Sequence, residues 1–402
     1  MQLGAIKRDA VAIYRLGRRM ARNLGAEIAP VARTDFQLTS SDGLETIEVL
    51  LHVGEGAGGE AHVAVWATAL ADSGVRCAIL TRNLAVYHRA AEMFPEVSQI
   101  YAKDVPEIEE VVRLCAGVRT LLYTSNTGNN LHLLRFNHLR HVFVGHGDSE
   151  KSASAHKFFR AYDEVWTAGK AHIDRFLNSG VDFGHVKFRI VGRPTLDASA
   201  FKRVSRLNKR FLYLPTWEGY YREQDYSSAP MIDELLKAAR AACGYDGIVK
   251  LHPWCGKRDP LLRDAEKRLN ADEVDTGHLL VLDRSSSYAP YVELSDFLIT
   301  DVSSVITDYL PSGKPIFVFV QDGNRVALAR SSVPLESYAY TFSNVEQLGE
   351  LVRQVIGQGE DPLKEQRDKA LNYFVGVEET MRGAFATELQ ASVGRLQSAR
   401  VA

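Results

Sequence analysis

Two histidines in this sequence stand at the ends of apolar runs that read as buried strands. Histidine is the side chain whose ordinary pKa lets it act as proton donor or acceptor near neutral pH. His146 lies in VFVGHGDSEKS (142–152), held between Gly145 and Gly147 and followed by Asp148, Ser149, Glu150 and Lys151. His252 lies in Lys250-Leu251-His252-Pro253. Proline fixes the chain beyond that strand and removes a donor, which suits a histidine facing a cleft. With one in each half of the chain, the two form a candidate acid/base pair. The remaining histidines read as surface or core residues, with no HExxH or grouped His/Asp pattern that would argue for a metal.

A third motif, Thr300-Asp301-Val302-Ser303-Ser304-Val305-Ile306-Thr307-Asp308, follows the strand pattern FLIT. It predicts a short loop and a helix that opens on serines. Unpaired N–H groups and a partial positive charge at a helix start suit an anion such as a diphosphate. Capping by Asp301 or Ser303 explains the same residues without a ligand. Pro215-Thr216-Trp217, Lys250-x-His252-Pro253 and this serine motif all fall at strand ends of one half, which favours a phosphate site. Gly54-Glu55-Gly56-Ala57-Gly58-Gly59 fits G-x-G-x-x-G between a strand and a helix. The dinucleotide version of that fingerprint needs an acid at the end of the next strand. Here that strand ends in Thr81-Arg82-Asn83, so the glycines read as a tight turn, either lining a cleft or with no ligand at all.

The elements that must position these residues alternate in type. Apolar, β-branched runs such as TIEVLLHV, RCAIL, RTLLYT, HVFVG and DEVWTA are separated by amphipathic patterns such as PEIEEVVRLC. A second alternating series starts at FLYLP (211–215) and passes through IVKLHP, HLLVLD, FLIT and PIFVFV. The expected fold is α/β, with two Rossmann-like domains facing each other across a cleft and ligands at the carboxyl ends of the strands. The expected boundaries are a basic amphipathic helix and linker (1–43), a first domain (44–200), a second domain (201–375) and a C-terminal helix (376–402). The polar stretch TDFQLTSSDG (34–43) reads as linker.

Composition sets outer limits. The chain has 402 residues and a formal net charge of −2, which implies no general attraction to nucleic acid. Cys77, Cys115, Cys243 and Cys255 are far apart and form no CxxC pair, which points to reduced thiols. No apolar run reaches the roughly 18–20 residues of a spanning helix, and no signal peptide is evident. Residues 1–24 carry Lys7, Arg8, Arg15, Arg18, Arg19 and Arg22 against Asp9 alone, opposite an apolar face that includes Ile6, Ile13, Met20 and Leu24. Such a helix either lies on an anionic membrane or packs on the protein.

Together, His146-Gly147, Lys250-x-His252-Pro253, Thr300-Asp301-x-Ser303-Ser304 with Asp308, Pro215-Thr216-Trp217 and Gly313-Lys314-Pro315-Ile316 resemble the CDP-glycerol glycerophosphotransferase family of teichoic-acid polymerases and primases. The resemblance covers residues 140–320 by motif. It implies a GT-B architecture and transfer of an alditol phosphate from a CDP-linked donor to a hydroxyl of a lipid-linked acceptor, with release of CMP. It implies no cofactor and no obligatory metal. Carried over, His146 is the base and His252 stabilises the leaving CMP. Lys250, Thr216, Thr300, Ser303 and Ser304 line the donor phosphate site, and Asp308 reaches a donor hydroxyl. Gly147, Asp148 and Arg193 fall on the acceptor side. The partners implied are a CDP-alditol, a lipid-linked polyol-phosphate or glycan, and an anionic membrane surface met by residues 1–24 on the cytoplasmic face; a homo-oligomer is left open. Two departures stand out: Asp148 occupies the place of the family's usual threonine, and the usual G-x-P-R is written Gly192-Arg193-Pro194-Thr195. A GT-B glycosyltransferase or UDP-sugar 2-epimerase is the alternative reading.

Overall fold

The computed structural model describes residues 36–40, 43–56, 58–147, 155–194, 196, 207–219, 225–284, 286–321, 332–376 and 383–399. The amphipathic segment 1–24 and Asp148 therefore lie outside the described residues.

The first sheet contains β1 (Gln37–Leu38), β2 (Val49–Val53), β3 (Cys77–Thr81), β4 (Ser98–Tyr101), β5 (Thr120–Tyr123), β6 (Arg140–Phe143), β7 (Glu164–Thr167) and β8 (Lys187–Ile190). Their spatial order is β1-β4-β3-β2-β5-β6-β7-β8. All neighbours are parallel except β1, which runs antiparallel to β4. The strand β1 falls in the stretch expected to be linker. Two residues are too few for a period-2 pattern, and the pairing is extended by Thr39, whose N–H donates to the Gln99 carbonyl at 3.1 Å.

The second sheet contains β9 (Arg210–Leu214), β10 (Asp246–Val249), β11 (Leu279–Val281), β12 (Phe297–Asp301), β13 (Ile316–Phe319) and β14 (Tyr340–Phe342). Its order is β11-β10-β9-β12-β13-β14, parallel throughout. In both sheets the order reverses beside the first parallel strand, between β2 and β5 and between β9 and β12. Ligands of doubly wound sheets bind outside the strand ends at such reversals. The loop after β2 holds Glu55, and the loop after β9 holds Thr216.

Apolar side chains cover both faces of each sheet. Leu50, Ala78, Leu121 and Val165 belong to the core on one face of the first sheet, and Val49, Leu51, Ile79 and Val142 to that on the other. This is why the central strands read as nearly unbroken apolar runs. The helix Ala384–Ala399 packs on the first domain: Phe385, Leu389 and Val393, four residues apart, join the core of Val49, Trp66 and Trp166. The chain therefore leaves the second sheet and returns to the first. The helix Lys364–Phe374 makes the transition against Lys170–Asn178. A side chain at Gly169 would collide with the Phe374 carbonyl oxygen, so only glycine fits there. No helix among the described residues is long and apolar enough to cross a membrane.

Candidate functional site

His146 follows β6 after Val144 and Gly145. Gly145 has φ +69°, a left-handed conformation that glycine adopts without strain and that turns the chain off the strand end. The His146 Nδ1 lies 2.8 Å from the Thr124 carbonyl oxygen. A carbonyl only accepts, so Nδ1 carries the proton and Nε2 is left as an acceptor. The ring is stacked on that of His62, with centroids 3.7 Å apart and planes 12° from parallel. Its edge is open to the cleft. Enclosure by protein, then repulsion from His62, pushes its pKa down to about 4, against the opposing pull of the Thr124 carbonyl and Glu55. At neutral pH the ring is uncharged.

His252, beyond β10, has the opposite hydrogen-bond pattern. Its Nδ1 accepts the Trp254 N–H at 3.1 Å, which leaves the proton on Nε2. Its ring lies roughly parallel to Trp217, with centroids 6.3 Å apart. Trp217 packs edge-on against Trp254 at 5.1 Å, and Lys257 places its ammonium 4.2 Å above the Trp254 ring. Lys250, at the end of the same strand, is half-buried. Burial lowers its pKa, opposed by the charges of Asp283 and Glu266.

The serine motif gives a shorter element than its sequence suggests. The helix spans only Val305–Tyr309, continued by a turn at Leu310–Ser312. Ser304 occupies the cap position without a side-chain capping bond. The Ser303 hydroxyl is buried and makes no hydrogen bond among the described residues. Asp301 does not cap either: its oxygens accept the Thr216 N–H at 2.7 Å and the Ser228 N–H at 3.0 Å, tying the loop after β9 to the end of β12.

Three of the expected site residues make contacts within the protein. Thr300 is fully buried and donates its hydroxyl to the Leu214 carbonyl at 2.7 Å, joining β12 to β9 instead of lining a pocket. Asp308, expected to reach a donor hydroxyl, is held by Arg193 Nη2 at 2.9 Å and by the Tyr288 hydroxyl. Thr216 is buried, with its backbone committed to Asp301 and to the Ser227 hydroxyl.

The two domains meet at the candidate residues. A side chain at Gly147 would lie 3.0 Å from Ser304 Cβ and 3.8 Å from Arg193 Nη2. One at Gly58 would lie 4.0 Å from Trp254 Nε1. Gly147, next to His146, and Arg193 of the first domain therefore meet Ser304 and Asp308 of the second. A pocket behind His146 is lined by Trp66, Trp166, His172 and Arg193 among others. The nine-tenths-buried Arg193 leaves Nε and Nη1 without hydrogen-bond partners among the described residues.

Glu55 and His62 were not visible as site residues in the sequence. Glu55 Oε2 lies 3.4 Å from His62 Nδ1, and both side chains are largely buried. The available signal was an acid alone between Gly54 and Gly56 at a strand end, with a histidine in the first turn of the helix that follows. No group of three or more His, Cys, Asp or Glu suited to a metal occurs among the described residues.

Comparison with known proteins supports the motif resemblance. Residues 201–335 match the family described as CDP-Glycerol:Poly(glycerophosphate) glycerophosphotransferase. The chain is 32% identical over 116 residues to a teichoic acid ribitol-phosphate primase of Bacillus spizizenii. That alignment takes in 28% of this chain and 26% of the relative, so the chain matches about a quarter of the relative's length. The fold is similar to that of the wall teichoic acid polymerase TagF, with TM-score 0.55 and 14% identity over 90% of this chain and 92% of the other. It is equally similar to a putative UDP-N-acetylglucosamine 2-epimerase from Listeria monocytogenes, with TM-score 0.57 and 12% identity over 86% and 95%. At such identities these likenesses show the fold alone, the two-domain GT-B arrangement.

Proposed function

With residues 201–335 carrying the signature of the CDP-glycerol glycerophosphotransferase family, we propose that the protein transfers an alditol phosphate from a CDP-linked donor to a hydroxyl of a lipid-linked cell-envelope acceptor, releasing CMP. The observation that carries this reading is the meeting of the His146-Gly147 loop with Ser304 across the cleft. A base from one domain stands over the serine turn of the other. Phosphoryl transfer depends mainly on such positioning and on neutralising developing charge.

In this reading the acceptor oxygen attacks the β-phosphorus, and its proton passes to His146 Nε2. The bond to the leaving CMP oxygen breaks and takes the electron pair with it. His252 Nε2–H and the Lys250 ammonium face the diphosphate as donors, and the hydroxyls of Ser303 and Ser304 complete its cradle. Gly147, with no side chain, lets the His146 loop approach Ser304 on the acceptor side, and Arg193 lines the adjoining pocket. Asp148 follows on the acceptor side. Residues 1–24 would hold the enzyme on the inner face of the plasma membrane, where a lipid-linked acceptor resides.

The test is CMP release from CDP-glycerol and CDP-ribitol by the wild-type chain and His146→Ala. The substitution is expected to lower kcat by roughly a hundredfold or more. Release of UDP from UDP-N-acetylglucosamine with no CMP from either CDP-alditol would replace this reading with the nucleotide-sugar alternative.

A further inference from the structure

The turn Gly54-Glu55-Gly56 delivers one carboxylate to the point where the first sheet reverses its order. Its path depends on Gly54, because a side chain there would lie 2.5 Å from Thr127 Oγ1 and 3.0 Å from His52 Cε1. The loop is therefore pressed against the ends of β2 and β5, and Glu55 extends toward the helix Gly59–Ala71. Its carboxylate stands 3.4 Å from His62 Nδ1. The His62 ring in turn covers one face of His146. With Nδ1 of His146 held by Thr124, that ring is fixed at one edge and one face, and Nε2 is left as its acceptor.

The charges around His146 come from several elements. Glu55 comes from the loop after β2, His62 from the following helix and Arg193 from the segment after β8. His172, of the helix Lys170–Asn178, lines the same pocket. Asp308 of the second domain neutralises Arg193. Among the described residues, that leaves Glu55 as the carboxylate that can answer a proton arriving on His146. Burial works against its ionisation, but His62 and then His146 outweigh it and hold the carboxyl below its ordinary range. Two imidazoles stacked this closely resist carrying two positive charges, so the nearby carboxylate decides how readily one is accepted.

We propose that Glu55 and His62 are positioning residues of the transfer: the pair fixes the ring plane of His146 and supplies the negative charge that balances the proton taken from the acceptor hydroxyl. The inference rests on the reading of His146 as the base. It adds no step to the balance above, since the proton still moves from acceptor oxygen to His146 Nε2.

The experiment measures CMP release from CDP-glycerol across a pH series for the full chain and for Glu55→Gln, His62→Ala, His62→Phe and His146→Ala. Glu55→Gln keeps the shape of the side chain and removes only its charge. It should lower kcat roughly tenfold or more, leave the donor KM nearly unchanged, and move the acidic limb of the kcat profile to lower pH. His62→Phe keeps a flat ring against His146 and removes the like charge. It should move that limb to higher pH and retain more activity than His62→Ala. These opposite displacements are the signature of a charge effect, which a merely structural role would not produce. Wild-type kcat and an unmoved acidic limb in Glu55→Gln, beside an inactive His146→Ala, would overturn this inference and leave the base intact. A fully active His146→Ala would overturn both.

Discussion

Replacing Asp308 by asparagine tests how the two domains are held together beside the candidate site. Arg193, after β8, and Asp308, after β12, are each about nine-tenths buried and form an ion pair across the cleft. Among the described residues Arg193 has no alternative partner: Nη2 contacts the two carboxylate oxygens at 2.9 and 3.1 Å, while Nε and Nη1 are unpaired. The asparagine side chain would keep the shape and the Tyr288 contact but leave a buried guanidinium with no anion. Breaking such a pair from one side costs about 3 kcal/mol. The pair bridges two domains, so the loss falls on the closed arrangement and not on either domain's core. By the rule of about 1.4 kcal/mol per tenfold, closure becomes roughly a hundredfold less favourable. The kcat/KM for CMP release should fall toward that limit. Arg193→Ala combined with Asp308→Asn should lose little more than the worse single variant, because no unpaired buried charge remains. The assay is CMP release at subsaturating donor for all four proteins. Strictly additive losses, or an Asp308→Asn variant within about threefold of wild type, would refute the clamp.

Three further outcomes are expected. His52 is buried in β2, and burial pushes its pKa from 6.5 down to about 3. The unfolded chain therefore binds the extra proton first, so this contribution to stability is complete above about 6.5 and is lost as pH falls toward 3. Unfolding free energy should drop by on the order of 4 kcal/mol over that window, and more shallowly in His52→Gln. Gly169→Ala would drive a methyl into the Phe374 carbonyl oxygen; the expected result is a fall of several degrees in the unfolding midpoint, and an unchanged midpoint would contradict it. Lys250→Met should raise the CDP-glycerol KM about tenfold or more with a smaller effect on kcat, as loss of a charge-assisted contact to a diphosphate predicts.

How far the fold could be read from sequence followed from burial. The central strands of both sheets are covered on two faces, so β2, β3, β5, β9, β12 and β13 appear as apolar runs whatever their partners. The edge strands β1 and β14 lack that signal, with two and three residues, whereas the equally short edge strand β11 shows because it falls within the apolar run HLLVLD. The candidate site residues stood out in the sequence where a polar residue ended such a run, as at His146, Lys250 and His252. Thr300 shows the limit of that rule. It too ends an apolar run, but its hydroxyl turns back to the Leu214 carbonyl, a choice that depends on β9 being its neighbour. Asp308 shows a second limit. Its partner Arg193 lies 115 residues away, and no local pattern links them. Glu55 and His62 were missed because the glycine stretch was read for its backbone alone, as a fingerprint or a tight turn, and His62 was set among the surface or core histidines. Their meaning comes from the parallel order of β2, β5 and β6, which sets the loop after β2 and the loop after β6 on the same edge.

The two histidines illustrate how local sequence can set chemistry once such neighbours are in place. Pro253 has no N–H, so the first backbone donor beyond His252 belongs to Trp254, and it binds the ring's own Nδ1. That leaves a proton on Nε2. Gly145 turns the chain so that the ring of His146 reaches back to the Thr124 carbonyl, which accepts the Nδ1–H and leaves Nε2 without a proton. The two rings therefore carry their protons on different nitrogens, so that Nε2 is an acceptor in His146 and an N–H in His252. A transfer in which one oxygen loses a proton while another gains negative charge needs that asymmetry. Reversing either ring's hydrogen-bond partner would abolish it while leaving both histidines present.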